Sequence, residues 1–126
     1  MNDRHTTIEE LKEKVREFVR EREWRQFHSP KNLSMSLAIE AAELMEMFQW
    51  LTTEQSQQLS ASDRGRVREE VADIALYVLD MCDTLDIDLS RAVKDKLAVN
   101  ARKYPVGLAR GKAQKWTHYE GESHGE

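Results

Sequence analysis

The chain has 126 residues, of which 40% are hydrophobic and 33% charged, and its formal net charge is −4. This composition excludes a disordered chain, and the length predicts one domain with a core over about 7–105 and a polar tail over about 106–126. The acidic balance, without a basic cluster, argues against a nucleic-acid partner. No apolar run reaches membrane-spanning length, and the one cysteine, Cys82, cannot form an internal disulfide. We therefore expect a cytoplasmic protein without a membrane partner.

The pattern of apolar residues predicts an all-α fold, because the alternating β-branched runs typical of strands are absent. Thr7 and Glu10 have the spacing of a capping box, and Asp88 is placed to cap the last long helix. Pro30 is expected to break the chain before the second helix, and Pro105 to end the fourth. Four helices are predicted, over about residues 7–23, 33–51, 63–85 and 89–104.

Four acidic residues lie within the apolar segments of the second and third helices. Glu40 and Glu43 form one i, i+3 pair, and Glu70 and Asp73 form another, so each pair lies on one helix face. If the two helices pack together, the carboxylates converge, and buried carboxylates are costly unless a positive partner meets them. Oxygen ligands without His or Cys suit a hard cation, Mg²⁺ or Mn²⁺. The sequence therefore predicts a metal site of the kind that acts on phosphates.

The alternative for spaced acids on a helix is a solvated face with intrahelical salt bridges. At the i+4 positions, however, the four acids have no lysine or arginine but Leu44, Met47, Ile74 and Tyr77. Two unit charges 4 Å apart repel by about 4 kcal/mol at an effective dielectric constant near 20. The cluster therefore needs a metal, protonation or a salt bridge, and one nearby lysine, Lys96, does not offset four acids. Glu69 and Asp80 are interpreted as ordinary surface acids.

The two acidic pairs and the segments around them resemble a known family. The segments EREWRQFHSPKNLSMSLAIEAAELMEMFQW, EEVADIALYVLDMCDTLDIDL and KLAVNARKYP are similar to the MazG-like all-α nucleoside triphosphate pyrophosphohydrolases, and most of all to the dCTP pyrophosphatases among them. The resemblance covers about residues 10–105. It implies an oligomeric four-helix bundle of MazG-like type that converts a deoxynucleoside triphosphate, dCTP or a 5-substituted dCTP, to the monophosphate and pyrophosphate.

The resemblance also assigns roles to the acids. Glu40, Glu43, Glu70 and Asp73 would be the ligands of Mg²⁺, with Mn²⁺ as a substitute. Bound Mg²⁺ neutralises and orients a triphosphate. A carboxylate, either Glu43 or Glu46, is expected to take the proton from the attacking water, and the choice between them stays open.

Aromatic residues near the first loop are candidates for holding the base. By resemblance, the residues expected to bind it are Trp24, His28, Trp50 and Tyr77. Asn32 is a weaker candidate, since an asparagine before a helix is more often a cap. Phe27 is interpreted as a core residue.

Three polar residues of the fourth helix are candidates for binding phosphate. Lys96, Asn100 and Lys103 lie at i, i+4 and i+7, on one face. Taken alone this is a solvated basic face, but the family places phosphate-binding residues here. Arg102 projects about a quarter-turn away and is a less certain candidate.

The second helix is apolar on nearly all sides, which requires more cover than four short helices give. Together with the resemblance, this predicts a homo-oligomer, a tetramer or otherwise a dimer, with sites built from more than one chain. Two other function classes remain as alternatives. A carboxylate-bridged di-iron bundle normally uses Glu-x-x-His motifs, and no histidine follows these acids at that spacing. A non-enzymatic interaction or regulatory protein would tolerate replacement of the four acids.

Overall fold

The computed structural model describes residues 1–119, and every regular element in this range is helical. The helices are α1 (Ile8–Glu21), a 3-10 helix (Arg25–Phe27), α2 (Pro30–Glu46), α3 (Thr53–Ser56), α4 (Ala61–Thr84), α5 (Leu89–Lys103) and α6 (Val106–Ala109). The all-α prediction is confirmed, and the short α3 and α6 were not predicted. None of the helices in this range combines the length and hydropathy needed to cross a bilayer.

The chain divides into two compact units, one from Met1 to Ile87 and one that begins at Asp88. The first unit contains α1, the 3-10 helix, α2, α3 and α4, and the second contains α5 and α6. The organisation as one domain stays a prediction. The predicted polar tail is described as far as residue 119, and its last seven residues lie outside the described range.

Side-chain caps fix where the long helices begin. Thr7 and Glu10 form the predicted capping box, and Asp88 caps α5 by accepting from the backbone N–H of Arg91. The expectation for Pro30 was wrong. Pro30 is the first residue of α2, because a first-turn N–H has no partner within the helix and the fixed φ of proline suits that position. Ser29 provides the cap.

In the first unit, α1 and α2 both pack against α4. The buried apolar side chains of these helices are Val15, Val19, Leu33, Leu79 and Cys82. Cys82 is a free thiol. Only a few side chains are deeply buried, so a large part of the apolar surface of α2 and α4 remains exposed in the single chain.

The ends of α1 and α4 have similar backbone geometry. Glu23 and Asp86 both have a φ of 53°, a left-handed conformation that ends a helix. Beyond these residues, the N–H groups of Trp24 and Ile87 donate back to the carbonyls of Val19 and Cys82. At the end of α4, the buried Lys12 of α1 donates from Nζ to the carbonyl of Ile87. Lys12 therefore satisfies a carbonyl beyond the end of α4 and connects this end to α1.

In the second unit, the chain after α5 folds back on its own helix. The ammonium of Lys103 lies 4.9 Å from the ring centroid of Trp116, and the rings of Tyr104 and Tyr119 meet edge to face at 6.0 Å. Tyr119 is fully buried. These contacts order the start of the predicted tail up to residue 119.

Candidate active site

Three of the four predicted metal-binding acids converge where α2 meets α4. One carboxylate oxygen from each of Glu40, Glu43 and Glu70 lies within 4.8 Å of the other two. Glu40 and Glu43 are one turn apart on α2, and Glu70 faces them from α4. The structure therefore brings both helices to one acidic cluster, as the spacing of the acids predicted.

The cluster holds more negative charge than its surroundings favour. Burial raises the pKa of Glu40 to about 7, and the neighbouring carboxyl groups of Glu70, Glu43 and Asp73 contribute to the rise. Oε2 of Glu40 and Oε2 of Glu70 are shielded from solvent, and neither atom has a hydrogen-bond partner among residues 1–119. A buried acceptor without a partner is costly. The cluster therefore has both the charge and the open acceptors to receive a cation.

The other two candidate acids lie apart from this group of three. Asp73 follows Glu70 by one turn of α4 and lines the neighbouring cavity, and it is near enough for its charge to raise the pKa of Glu40. Glu46 is the last residue of α2 and is exposed. Its role as general base stays a prediction, and so does the corresponding role of Glu43, which is also exposed.

An apolar cavity of about 380 Å³ adjoins the acids. Residues of α1, of the loop after it and of α4 line it, including Val15, Phe18, Trp24, His28, Asp73, Leu76, Tyr77 and Asp80. This volume is within the usual range of small-molecule sites, roughly 300–1,000 Å³. Because Asp73 belongs to the wall and its charge acts on Glu40, the cavity lies beside the acidic cluster.

Trp24, His28 and Tyr77, three of the four residues predicted to hold the base, line this cavity. The ring of Trp24 meets Phe18 edge to face at 5.7 Å and lies 6.0 Å from the His28 ring. Trp50, the fourth, is 86% exposed and is not part of the cavity wall of the single chain. The structure therefore places Trp24, His28 and Tyr77 in the wall of one cavity and Trp50 outside that wall.

Two expectations about the loop were wrong. Phe27 is 60% exposed and is not a core residue, because the short 3-10 helix is fastened to α4 through Arg25 and His28 and leaves the ring between them outside. Asn32 is not the cap of α2, a position that Ser29 occupies. The side-chain amide of Asn32 instead donates to the carbonyl of Phe27 and closes the loop.

Asp80 was wrongly interpreted as a surface acid, since it is only 3% exposed. Its Oδ2 lies 2.6 Å from Nδ1 of His28, and its Oδ1 accepts from Arg25 at 3.2 Å. Asp80 follows Asp73 by seven residues and Tyr77 by three, so all three share one face of α4, but this spacing alone does not distinguish a buried acid from an exposed one.

Asp83, one turn further along α4, extends this network. Its Oδ1 accepts from Arg16 of α1 at 2.6 Å, and its Oδ2 accepts from Arg25 at 3.3 Å. The hydrogen bonds and charge of Arg16 hold the pKa of Asp83 below its usual value. The two aspartates thus connect α1 and the 3-10 helix to α4.

The predicted phosphate-binding residues Lys96, Asn100 and Lys103 lie on α5, in the second unit. Lys96 is exposed, and Lys103 is partly buried against Trp116. Their role in binding phosphate stays a prediction, as does that of Arg102.

Taken together, the first unit is a helical scaffold with a cation-accepting carboxylate cluster beside an apolar, aromatic-lined cavity. The donor set fits a hard divalent ion, since it consists only of carboxylate oxygens and includes buried atoms without partners. Within residues 1–119, no lysine or arginine forms a salt bridge with Glu40, Glu43 or Glu70. These features are those of a helical scaffold suited to a hard cation beside a cavity of the size of small-molecule sites.

Comparison with known proteins assigns the family. A sequence model of the MazG-like family matches residues 35–118. The dCTP pyrophosphatase 1 of Bos taurus is 41% identical over 113 residues, which cover 88% of this chain and 67% of that protein. The dCTP pyrophosphatase 1 of Homo sapiens is 38% identical over 113 residues, with 88% and 66% covered. The crystal structure of a pyrophosphatase from Archaeoglobus fulgidus aligns with a TM-score of 0.75 and 42% identity, covering 83% of this chain and 98% of that one.

The chain belongs to the MazG-like family, and the predicted resemblance is confirmed. It spans about two thirds of the length of the curated relatives. These relatives and the solved pyrophosphatase identify it as an enzyme of the nucleoside triphosphate pyrophosphohydrolase class. The alternative of a non-enzymatic interaction protein is thereby set aside.

Proposed function

We propose that this enzyme hydrolyses dCTP and 5-substituted dCTP to the deoxynucleoside monophosphate and pyrophosphate, and so removes unwanted nucleotides from the pool. The observation that carries the proposal is Asp73, which joins the wall of the apolar cavity to the acidic cluster. A base in the cavity would place its phosphates toward the acids. Relatives named dCTP pyrophosphatase 1 support cytosine as the base.

The proposed metal is Mg²⁺, with Mn²⁺ as a substitute, held by Glu40, Glu43, Glu70 and Asp73. When bound, Mg²⁺ supplies positive charge that neutralises and orients a triphosphate and makes water more acidic. The di-iron alternative is not favoured, because no histidine among residues 1–119 joins the cluster of carboxylates.

Side chains of the protein are proposed to bind the base, to accept the proton of the attacking water and to bind the phosphates. Trp24 and Tyr77 present flat surfaces to the base, and stacking of a base on an aromatic ring contributes about 1–3 kcal/mol. Glu43 or Glu46 accepts the proton of the attacking water. Lys96, Asn100 and Lys103 are proposed to bind the phosphates.

We further propose a homo-oligomeric enzyme, a tetramer or otherwise a dimer, built from four-helix units of MazG-like type in the cytoplasm. Exposed apolar residues form a stripe on one side of α2: Met35, Ala38, Ile39, Ala42 and Met45. A stripe of this kind on a soluble enzyme marks an association surface. The 86% exposure of Trp50 is explained in the same way, if a second copy completes the base site around it.

The function is tested by measuring pyrophosphate release from dATP, dCTP, dGTP and dTTP, each with Mg²⁺ and with a chelator. We expect release that depends on Mg²⁺ and is fastest with dCTP. Trp24→Ala should raise KM and reduce the preference among bases, since it removes a stacking surface. Equal rates on dGTP and dCTP would refute the cytosine preference and leave pyrophosphate release standing, whereas no release from any nucleotide would refute the activity.

A further inference from the structure

The ring of His28 is held in the cavity by one short contact. Its Nδ1 lies 2.6 Å from Oδ2 of Asp80. Within residues 1–119, no protein group forms a hydrogen bond with the other ring nitrogen, Nε2. His28 is therefore a cavity-lining residue with one nitrogen engaged by the protein and one nitrogen available to a ligand.

Asp80 itself cannot contact a ligand. Its side chain is 4% exposed, and both oxygens are occupied, Oδ2 by His28 and Oδ1 by Arg25 and Thr84. Arg25 is an obligate donor, so its bond to Oδ1 holds the side chain of Asp80 with Oδ2 toward the ring. Asp80 can therefore act on a bound molecule only through His28.

The contact decides which ring nitrogen carries the proton. A carboxylate accepts hydrogen bonds and does not donate them, so Nδ1 must be the donor. In a neutral imidazole the other nitrogen is then an acceptor, and the partner of one nitrogen sets the role of the other. A neutral His28 therefore has its acceptor at Nε2, the nitrogen that the described protein groups leave unbonded, in a residue that lines the cavity.

An acceptor at this position distinguishes pyrimidines at one atom. Cytosine carries an amino donor at position 4, where uracil and thymine carry a carbonyl acceptor. Nε2 can accept a hydrogen bond from the amino group, whereas it would face the carbonyl with two lone pairs opposed. A site that leaves a buried polar group unpaired rejects the wrong ligand more strongly than a difference in shape does.

We propose that Asp80 is a specificity-determining positioning residue: through Nδ1 of His28 it fixes Nε2 as the acceptor that selects a 4-amino over a 4-oxo pyrimidine. This inference rests on the proposed function, because it assigns base selection at the same cavity. It concerns residues of α4 and the loop, and the acidic cluster does not contribute to it.

The test compares dCTP with dUTP, two nucleotides whose bases differ at position 4 and at the proton on the adjacent nitrogen. In Asp80→Asn the carboxylate becomes an amide that can donate as well as accept, so Nδ1 is no longer held as the donor. We expect the ratio of kcat/KM for dCTP to that for dUTP to fall about tenfold, the equivalent of one hydrogen bond to the base. The change should appear in KM, with kcat for dCTP at saturation within about threefold of the wild type.

Asp83→Asn is the matched control. It removes a carboxylate from the same network and the same helix, the one that accepts from Nη2 of Arg25, but the replaced residue does not contact His28. The ratio for this variant should remain within about twofold of the wild type, a change of less than one hydrogen bond. If both variants lower the ratio equally, the effect comes from loss of the ion-pair network around Arg25 and not from the contact between Asp80 and His28. That result would overturn the inference.

Nuclear magnetic resonance of ¹⁵N-labelled His28 gives a readout independent of turnover. The wild type should show protonated Nδ1 and an unprotonated Nε2 at neutral pH, and Asp80→Asn should change this pattern. Protonated Nε2 in the wild type would overturn the inference directly.

A second variant covers the case in which Asp80→Asn does not fold. His28→Phe keeps a ring in the cavity and leaves Asp80 paired with Arg25, but it has no acceptor, so the same fall in the dCTP to dUTP ratio is expected. An unchanged ratio in a folded His28→Phe would overturn the inference while pyrophosphate release still stood. Absence of pyrophosphate release from every nucleotide in the wild type would instead overturn the proposed function, and the inference with it.

Discussion

The raised pKa of Glu40 has a direct consequence for stability. Burial and the neighbouring acids move this pKa from 4.5 to about 7. The folded state therefore holds a proton on Glu40 that the unfolded state has lost between these pH values. The stabilising contribution is fully present below the unfolded value and is lost as the pH rises through the folded value.

Without metal, the enzyme should accordingly become less stable as the pH rises from about 5 to about 8. Thermal unfolding in the presence of a chelator measures this, and Glu40→Gln should flatten the dependence because it stays neutral. Glu69→Gln, an exposed acid on α4, is the control and should behave like the wild type. Mg²⁺ should bind more tightly above pH 7, because it competes with the proton on Glu40. A flat profile in the wild type would contradict the assigned protonation.

Glu43→Gln should abolish turnover on all nucleotides, because it removes a proposed ligand and a candidate base. Without Mg²⁺, its melting temperature should stay the same or rise, since the substitution relieves repulsion that amounts to about 4 kcal/mol per close pair at an effective dielectric constant near 20. Pyrophosphate release and thermal unfolding measure the two effects. Near-wild-type turnover in this variant would refute the role of the cluster.

Among the helices, α4 is the element that organises the site. One face of it supplies Glu70 and Asp73 to the acids and cavity, and its last turns supply Asp80 and Asp83 to the network with Arg16 and Arg25. A single rigid helix thus determines where the cluster, the cavity and the loop lie relative to each other. The loop is positioned by charged hydrogen bonds to this helix.

The ion pair between Asp83 and Arg16 should stabilise the folded state at neutral pH and lose this effect in acid. The pKa of Asp83 is below its usual value, so its contribution is present above the unfolded value of 3.8 and is lost as the pH falls through the folded value. Asp83→Asn should lower the free energy of unfolding at pH 7 only modestly, because solvent screens a pair whose arginine is 39% exposed. Urea unfolding at pH 7 and below pH 4 measures this difference, which should shrink in acid. A difference that persists in acid would show that the ion pair is not its cause.

At the scale of the whole molecule, the exposed apolar stripe of α2 is the feature that a single chain does not explain. Met35, Ile39 and Met45 are each about half exposed or more, and Trp50 more still. Burial of such side chains against another copy would contribute roughly 25 cal/mol per Å² of apolar surface removed from water.

Ile39→Glu should therefore dissociate the oligomer, because it places a charge in the middle of the stripe. Sedimentation at micromolar concentration should show a larger species for the wild type and a smaller one for the variant. Gln58→Glu, which adds the same charge at an exposed position outside α2, should leave the mass unchanged. A wild-type monomer with full activity would refute the proposed assembly.

The sequence by itself determined that the chain has four long helices and which residues form the acidic cluster. Both follow from short-range rules: caps such as Thr7 and Asp88 satisfy the N–H groups beside them, and acids three residues apart must share a helix face. Because Glu40, Glu43 and Glu70 lie in apolar helices, their convergence required only that the two helices pack together.

The tertiary structure alone decided which acids are buried and which side chains of the loop line the cavity. Asp80 has the same chemistry as Glu69 and lies on the same helix, yet one is buried and the other exposed, because the 3-10 helix and the residue after it contact only the last turns of α4, about three turns beyond Glu69. Likewise, Phe27 is exposed whereas Trp24, three residues before it, lines the cavity. Burial depends on contacts between residues more than 50 positions apart, such as His28 with Asp80, and no local pattern encodes such a contact.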